Sequence, residues 1–169
     1  MGVLEILTYP DPRLKQVADE VERFDDELRA LVADLQQTME AGPGSVGIAA
    51  PQVGRSVRVA IVDVSGRKKT ESHGRLVLVN PEILEWDGMT VGREGCMSVP
   101  DYTGNVIRAE AVELRAFDER GVEYSHRLRG FEARAVQHEL DHLDGVLFLD
   151  RLVSRRGDLF RRKVYRTAD

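Results

Sequence analysis

The segment His138-Glu139-Leu140-Asp141-His142 combines residue types and a spacing that suit metal-dependent hydrolysis. Histidines four residues apart lie about 40° apart around an α-helix, so both imidazoles can reach one metal ion. Glu139 is close enough to both to act as general base on a water molecule at that metal. Apolar neighbours indicate a mostly buried helix, in which two imidazoles and a carboxylate need partners that a metal supplies. The pattern predicts a metal site; two surface histidines on an amphipathic helix are the alternative.

A catalytic metal site needs a third protein ligand and an open position, and the only cysteine, Cys96, is the candidate ligand. Gly95 before it permits close backbone approach, and Pro100 is expected to end regular strand pairing. The remaining histidines, His73 and His126, have polar or charged neighbours and are expected at the surface. A Cys-His-His set with an open position predicts a catalytic site, whereas an inert buried thiol is the alternative for Cys96.

A glycine-rich segment covers residues 42–54. Its four glycines stand among small side chains, which lets the backbone approach a ligand closely. It lacks the Lys-Ser/Thr ending of a phosphate-binding loop, which argues against nucleotide binding. By itself the segment fits an ordinary helix-to-strand connection equally well.

The elements that must position these residues follow from periodicity and capping signals. Apolar spacing predicts a helix at 25–41, with Asp25 as N-cap and Gly42-Pro43 at its end, and a second helix at 131–144 closed by Gly145. A helical turn is expected after Asp11-Pro12, and a last helix over 154–166. Strands are predicted at 57–64, 75–80, 111–117 and 122–128. We therefore expect an α+β fold in which central antiparallel strands pack around the buried metal-binding helix, with an N-terminal and a C-terminal helix.

The composition sets limits on the class of protein. The chain has 169 residues, 42% of them hydrophobic, enough for one domain over residues 1–169 and too apolar for a disordered chain. No apolar stretch is long enough to span a membrane, and the N-terminus does not resemble a secretory signal. A single cysteine favours a reducing compartment. These features predict a soluble, cytoplasmic protein.

The charge is unevenly distributed along the chain. The formal net charge is −5, yet residues 150–169 hold seven basic and three acidic side chains. The acidic remainder argues against DNA or general nucleic-acid binding. The basic segment could contact RNA phosphates, although a solvated face of a terminal helix is the plainer interpretation.

Three segments together resemble the signature motifs of peptide deformylases, in order and in spacing. The likeness extends from Tyr9-Pro10-Asp11-Pro12 to Asp150-Arg151. The segments are Gly47-Ile48-Ala49-Ala50-Pro51-Gln52, Glu94-Gly95-Cys96-Met97-Ser98 and Gln137-His138-Glu139-Leu140-Asp141-His142-Leu143-Asp144-Gly145. The resemblance implies a metal-dependent hydrolase that removes the N-formyl group from the N-terminal methionine of newly synthesised polypeptides and releases formate.

The resemblance also implies a role for individual residues at the reacting centre. Cys96, His138 and His142 would hold the metal, leaving a fourth position for water. Glu139 would take a proton from that water as general base and return it, as general acid, to the leaving amine.

Further roles concern binding of the substrate. The Gln52 side-chain amide and the Met97 backbone N–H would donate hydrogen bonds to the oxyanion. The backbone at Val46, Gly47 and Ile48 would pair with an extended substrate.

Substrate preference and bracing of the site can be inferred from the residues themselves. Phe131 and Ala135 precede the first helical histidine by seven and three positions on one helix face, and with Val46 they are expected to line a pocket for the methionine side chain. We also expect Glu94 to pair with Arg108 and brace the cysteine segment, surface charge being the alternative.

Two positions depart from the family pattern. Ser45 stands where the family usually has glycine, and this is compatible only if φ is negative there. Met97 stands where leucine is usual, but it keeps the backbone donor and a similar volume.

The identity of the metal ion is predicted differently by the ligands and by the family resemblance. Thiolate and imidazole ligands by themselves favour zinc, whereas the resemblance implies one Fe²⁺ per chain, replaceable by Zn²⁺, Ni²⁺ or Co²⁺. It also implies formylmethionyl nascent peptides as substrates. The uneven charge adds the hypothesis that an enzyme acting on nascent chains contacts the ribosome through its basic C-terminal segment. A zinc-dependent peptidase of the His-Glu-x-x-His type and a metal-binding module without turnover are the competing hypotheses.

Overall fold

Two α-helices and eight β-strands form the structure of residues 2–162, which is the part of the chain that the computed structural model describes. The helices are α1 (Asp26–Ala41) and α2 (Gly130–Leu143). The strands are β1 (Gly47–Ala49), β2 (Val59–Val62), β3 (Leu76–Asp87), β4 (Thr90–Cys96), β5 (Val99–Arg108), β6 (Ala111–Phe117), β7 (Glu123–Arg129) and β8 (Leu159–Arg161). Within these residues, no helix is long and apolar enough to cross a lipid bilayer.

A five-stranded antiparallel sheet in the order β1-β2-β3-β6-β7 lies between the two helices. In β2, Ala60 and Val62 pack in the cluster that contains α2, while Val59 and Ile61 pack in the cluster that contains α1. All four residues are fully buried, because both faces of the strand are covered. This double burial explains why the sequence of β2 is continuously apolar rather than alternating.

A second sheet of three antiparallel strands has the order β4-β5-β8. The β4–β5 pairing is regular until Gly95 and then shifts, so that Cys96 pairs with Val99. Such an irregularity re-aims the side chain that follows it. Cys96 thereby joins a small buried cluster with Val99, Val106 and Phe148.

The predicted α+β class is confirmed, and both helices that surround the main sheet were predicted. The Asp25 side chain accepts a hydrogen bond from the Leu28 N–H (3.0 Å), as expected of an N-cap. Gly145 follows α2 with φ of 73°, the left-handed conformation that ends many helices. The expected turn after Asp11-Pro12 is a short 3-10 helix, Pro12–Lys15.

The predicted C-terminal helix over 154–166 is wrong where the structure can be compared with it. A turn contains residues 155–157 and is followed by β8, which pairs with β5 through Thr103 and Phe160. Gly157 disfavours a helix there, and strand pairing satisfies the backbone instead. Residues 163–166 of that prediction lie outside the described residues.

Two smaller expectations concern strands. Pro100 interrupts the regular β4–β5 pairing as predicted, since it has no partner in β4, but β5 itself continues through it as an exposed second residue. The strand predicted at 75–80 continues through Pro81 as far as Asp87, with register shifts along its pairing with β6.

Candidate metal centre and active site

Three buried side chains from two separate elements meet at one point. His138 and His142 project from α2, and Cys96 comes from the end of β4. One ligand atom from each lies within 4.8 Å of the others, and Cys96 Sγ is 3.3 Å from His142 Nε2. The structure therefore brings together the thiolate and the two imidazoles that the sequence predicted as metal ligands.

The electrostatics of this cluster suit a divalent cation. Burial raises the pKa of the Cys96 thiol, but His142 and His138 beside it outweigh that effect and hold the pKa well below its usual range. Two imidazole nitrogens and a thiolate form a donor set that transition metals bind, with room for one further ligand. The residues present thus fit the metal ion that the sequence pattern implied.

Glu139 lies beside this cluster and lines the same cavity as Cys96 and His138. Its Oε1 atom and His142 Nδ1 are the buried side-chain atoms without a hydrogen-bond partner among residues 2–162. Burial raises the pKa of Glu139 to about 7. Because buried polar atoms are nearly always paired, an unpaired carboxylate oxygen indicates a position for a reacting group or a water molecule.

Glu94 fixes the orientation of His138 from behind. Its Oε1 atom lies 2.9 Å from His138 Nδ1, which leaves Nε2 of that ring to face the other ligands. Arg108 donates two hydrogen bonds to Glu94 (2.9 and 2.8 Å), and Arg134 donates a third (2.6 Å). Burial raises the pKa of Glu94, but Arg108 and His138 outweigh it and hold the pKa well below its usual range. The predicted Glu94–Arg108 pair is confirmed, and Asp141 contacts Arg108 from the other side (2.5 Å).

Gln52 approaches the cluster from the 3-10 helix that follows β1. Its Oε1 accepts a hydrogen bond from the Ala49 N–H (2.9 Å), and its Nε2 donates to Ser98 Oγ (3.0 Å) and contacts Cys96 Sγ (3.4 Å). The side chain is almost fully buried and fixed at both ends. Its amide nitrogen is thereby held beside Cys96, at the wall of the cavity that Gln52 lines.

A cavity of about 490 Å³, called the cleft below, opens from this centre. Val46, Phe131 and Ala135, predicted as pocket residues, all line it, as do Gly47 and Met97. The remaining lining residues are Pro43, Gly44, Ser45, Gln52, Arg67, Arg93, Glu94, Gly95, Cys96, Thr103, Arg134, His138, Glu139 and Arg162.

Ile48 does not line the cleft, because its side chain is fully buried in the core against α1. Ile48 can therefore offer a substrate only its backbone groups. Among residues 2–162, its strand β1 is an edge strand of the five-stranded sheet with one side unpaired. Gly47 in the same strand lies against the catalytic candidate, since an added Cβ there would be 2.5 Å from Glu139 Oε2. Ser45, the departure from the family pattern, is not among the residues with positive φ, and its hydroxyl donates to the Gly47 carbonyl (3.3 Å).

Comparison with known proteins decides the family. A family model described as polypeptide deformylase matches residues 3–157. The chain belongs to that family. A peptide deformylase of Alkalilimnicola ehrlichii is 43% identical over 164 residues, which is 97% of this chain and 90% of the relative.

Solved deformylase structures also resemble this chain closely. A peptide deformylase from Legionella pneumophila superimposes with a TM-score of 0.84 and 40% identity, covering 92% of this chain and 90% of that one. A class I type b peptide deformylase from Acinetobacter baumannii bound to Met-Ala-Ser does so with a TM-score of 0.82 and 39% identity, covering 89% and 98%. Peptide deformylases are metal-dependent hydrolases that remove N-formyl groups from nascent peptides, so the predicted class of enzyme is confirmed and the peptidase hypothesis is set aside.

Sequence reasoning missed several residues of this deformylase site. Arg134 and Ser98 are buried partners of Glu94 and Gln52, and nothing in the local sequence distinguishes Arg134 from a solvated polar residue. Arg67, Arg93 and Arg162 line the cleft from three separate segments. The only available signal was the position of Arg93 and Ser98 in or beside the cysteine motif.

Proposed function

We propose that this chain performs the deformylation reaction of its family at the centre formed by Cys96, His138 and His142. The observation that carries the proposal is the unpaired, buried Oε1 atom of Glu139, a residue that lines the same cavity as Cys96 and His138. When bound, a divalent metal ion would supply a Lewis acid and a water molecule of lowered pKa. The remaining steps belong to side chains and backbone of the chain itself.

Glu139 is proposed as the group that moves the proton. It accepts a proton from the attacking water at Oε1 as the water oxygen bonds to the formyl carbon. It then delivers that proton to the amine nitrogen as the C–N bond breaks, so that formate and a free N-terminus leave. A pKa of about 7, raised by burial, allows the carboxyl to act in both directions near neutral pH.

Gln52 and Met97 are proposed as donors to the oxyanion. The Gln52 amide is held by the Ala49 N–H and by Ser98, so its second N–H is fixed towards Cys96 Sγ, beside the position proposed for the formyl oxygen. The Met97 backbone N–H follows directly after the metal ligand Cys96 and adds a second donor. Fixed donors of this kind typically contribute about 2.7–4 kcal/mol each to the barrier reduction.

The substrate is proposed to lie as an added strand along the unpaired side of β1. Backbone groups at Val46, Gly47 and Ile48 would pair with it, and Phe131, Ala135 and Val46 would contact the methionine side chain. The Acinetobacter baumannii relative with bound Met-Ala-Ser supports a methionyl peptide as the class of ligand.

Fe²⁺ is proposed as the ion in the cell, with Zn²⁺, Ni²⁺ or Co²⁺ as replacements. All of these ions accept thiolate and imidazole ligands, so the ligand list does not select among them and the metal available in the cell contributes to the choice. A reducing cytoplasm, the proposed location, would protect both ferrous iron and the Cys96 thiolate. Metal analysis after anaerobic purification, compared with the activity of each reloaded form, tests this: activity that follows only zinc content would contradict it.

Residues 1–169 are proposed to form one catalytic domain. The basic segment at its C-terminal end is proposed to contact ribosomal RNA. Because β8 is part of the smaller sheet, truncation would disturb the fold, and charge removal is the cleaner test. Arg155→Gln with Arg156→Gln changes two exposed residues and is expected to weaken co-sedimentation with ribosomes at low salt. Unchanged co-sedimentation would refute the contact.

The decisive experiment compares Glu139→Gln with the unaltered protein. Formate release from formyl-Met-Ala-Ser is expected to fall by at least about a hundredfold because the proton carrier is lost, while the metal content stays the same. As a matched control, Glu119→Gln alters a glutamate that does not line the cleft and is expected to leave release unchanged. Retained turnover in Glu139→Gln would exclude this residue as the base.

A further inference from the structure

Three arginines surround the outer part of the cleft and are called the cationic rim: Arg67, Arg93 and Arg162. The Arg67 guanidinium lies over the Phe131 ring, 4.4 Å from its centroid. Arg93 projects from β4 and lies 3.7 Å above the Phe160 ring of β8. Arg162 covers Gly95, where an added Cβ would be 2.5 Å from its Nη2 atom. Aromatic rings and backbone thus hold three cations at the entrance to the catalytic centre.

No carboxylate within residues 2–162 forms an ion pair with any member of the cationic rim. Arg93 donates only to neutral acceptors, Asn105 Oδ1 (3.2 Å) and Thr103 Oγ1 (3.3 Å). Arg134, in contrast, lines the same cleft but is buried and bound to Glu94. The rim therefore keeps its positive charge available, whereas the deeper arginine does not.

The charge of the rim is opposite to that of the whole protein, which has a formal net charge of −5. The carboxylates that line the cleft are Glu94 and Glu139, and both belong to the catalytic centre. An acidic ligand would consequently be repelled by the protein at long range and attracted only inside the cleft. This favours a ligand that enters the cleft over one that docks on an outer surface.

We propose that the cationic rim selects formylmethionyl peptides that have acidic side chains immediately after the methionine. The inference rests on the proposed function, which places the formyl group at the centre and the chain along the unpaired side of β1. A peptide that extends outward advances about 3.3 Å per residue, so its next few side chains pass the rim. Carboxylates there can accept paired hydrogen bonds from the guanidinium groups.

The test uses formyl-Met-Glu-Glu amide and formyl-Met-Gln-Gln amide, which have nearly the same shape and differ in charge. We expect kcat/KM to be about tenfold higher for the Glu-Glu peptide at low ionic strength. The ratio should fall towards one at about 0.5 M salt, because exposed charges are then screened. The difference should lie in KM, since the rim is remote from the bond that breaks.

Variants separate the rim from general charge effects. Arg93→Gln with Arg162→Gln should lower the ratio to about twofold or less, whereas Lys at both positions should preserve most of it. Arg120→Gln removes an equally exposed arginine at the β6–β7 turn, outside the cleft, and should leave the ratio unchanged. A ratio near one in the unaltered protein, or a ratio that survives in the double Gln variant, would overturn the assignment.

The neutral peptide distinguishes failure of the rim proposal from failure of the proposed function. If formyl-Met-Gln-Gln amide releases formate but the acidic peptide is no better, the rim proposal fails and the proposed function stands. If neither peptide releases formate, the proposed function fails. Calorimetric binding of Met-Glu-Glu amide and Met-Gln-Gln amide then still decides whether the rim selects carboxylates.

Discussion

Replacing Glu94 by glutamine should destabilise the protein and weaken metal binding without altering its shape. The carboxylate is 7% exposed and holds Arg108, Arg134 and His138 by hydrogen bonds of 2.6–2.9 Å. An amide of the same size keeps one acceptor but turns two N–H donors towards the guanidinium donors around it. The substitution therefore removes a buried negative charge and leaves its cations in place.

The expected loss of unfolding free energy depends on which arginine keeps a carboxylate partner after the substitution. Arg108 retains Asp141 at 2.5 Å, but Glu94 is the only carboxylate paired with Arg134 among residues 2–162. Breaking a buried ion pair on one side costs about 3–5 kcal/mol, and an arginine cannot escape the cost by losing its proton. With one cation left uncompensated, we expect about 3–4 kcal/mol of lost unfolding free energy. Because His138 also loses its orienting acceptor, metal affinity should fall about 10- to 100-fold.

Urea unfolding of the metal-free protein measures the stability term separately from metal binding, and competition with a chelator measures affinity. Glu82→Gln is the matched control, because Glu82 forms an exposed pair with Arg115 and should cost less than about 1 kcal/mol. A loss below 1 kcal/mol in Glu94→Gln, equal to that of the control, would refute the claim that this carboxylate neutralises buried charge. Unchanged metal affinity would refute its role in orienting His138.

Three further changes have defined outcomes. Gly47→Ala places a methyl group 2.5 Å from Glu139 Oε2 and should lower kcat/KM by about a hundredfold, while Gly66→Ala, which meets nothing within 4 Å, should have no effect on formate release. Gln52→Leu should lower kcat by about 10²–10³-fold through loss of an oxyanion donor; a change in KM alone would contradict that role. Treatment with a chelator should abolish turnover. It should also lower the unfolding free energy, measured with urea, by about 2.7 kcal/mol relative to protein at a free metal concentration of 100 Kd. Equal unfolding midpoints with and without metal would show that the ion adds no stability.

The helical part of the site could be predicted because its signals are local. The spacing of His138 and His142 fixes their common face, and the capping residues fix where the helix ends, without reference to the rest of the chain. Cys96 could be assigned to the same site as the two histidines only because a metal needs a third ligand. Its position depends on a register shift at the end of β4, which turns Cys96 inward and which the local sequence does not indicate. Likewise, the strand β2 was visible as a continuous apolar run because both faces are buried.

The β4–β5 hairpin was not predicted, since several of its buried positions hold polar or small residues, namely Glu94, Cys96, Gly104 and Arg108. Glu94 and Cys96 occupy the buried positions of β4. Apolar residues at these positions would have produced the alternation of apolar and polar residues by which a strand is predicted. The same reason hid Arg134, a charged residue in a buried helix that is compensated by a carboxylate 40 positions earlier in the sequence. Compensation between distant charges cannot be read from local sequence, because either residue alone looks like part of a solvated surface.

The wrong prediction of a C-terminal helix and the failure to predict Arg162 at the cleft have one cause, the strand β8. Leu159 and Phe160 lie opposite Gly104 and Thr103 in the smaller sheet, and this strand brings Arg162 over Gly95. A terminal helix would have separated that arginine from the cysteine motif. The strand instead places Arg162 at the cleft, so one charge of the basic C-terminal segment lines the cavity of the candidate site. The rim proposal therefore makes substrate preference beyond the methionine depend in part on a long-range strand pairing, which the three motifs that identify the family do not specify.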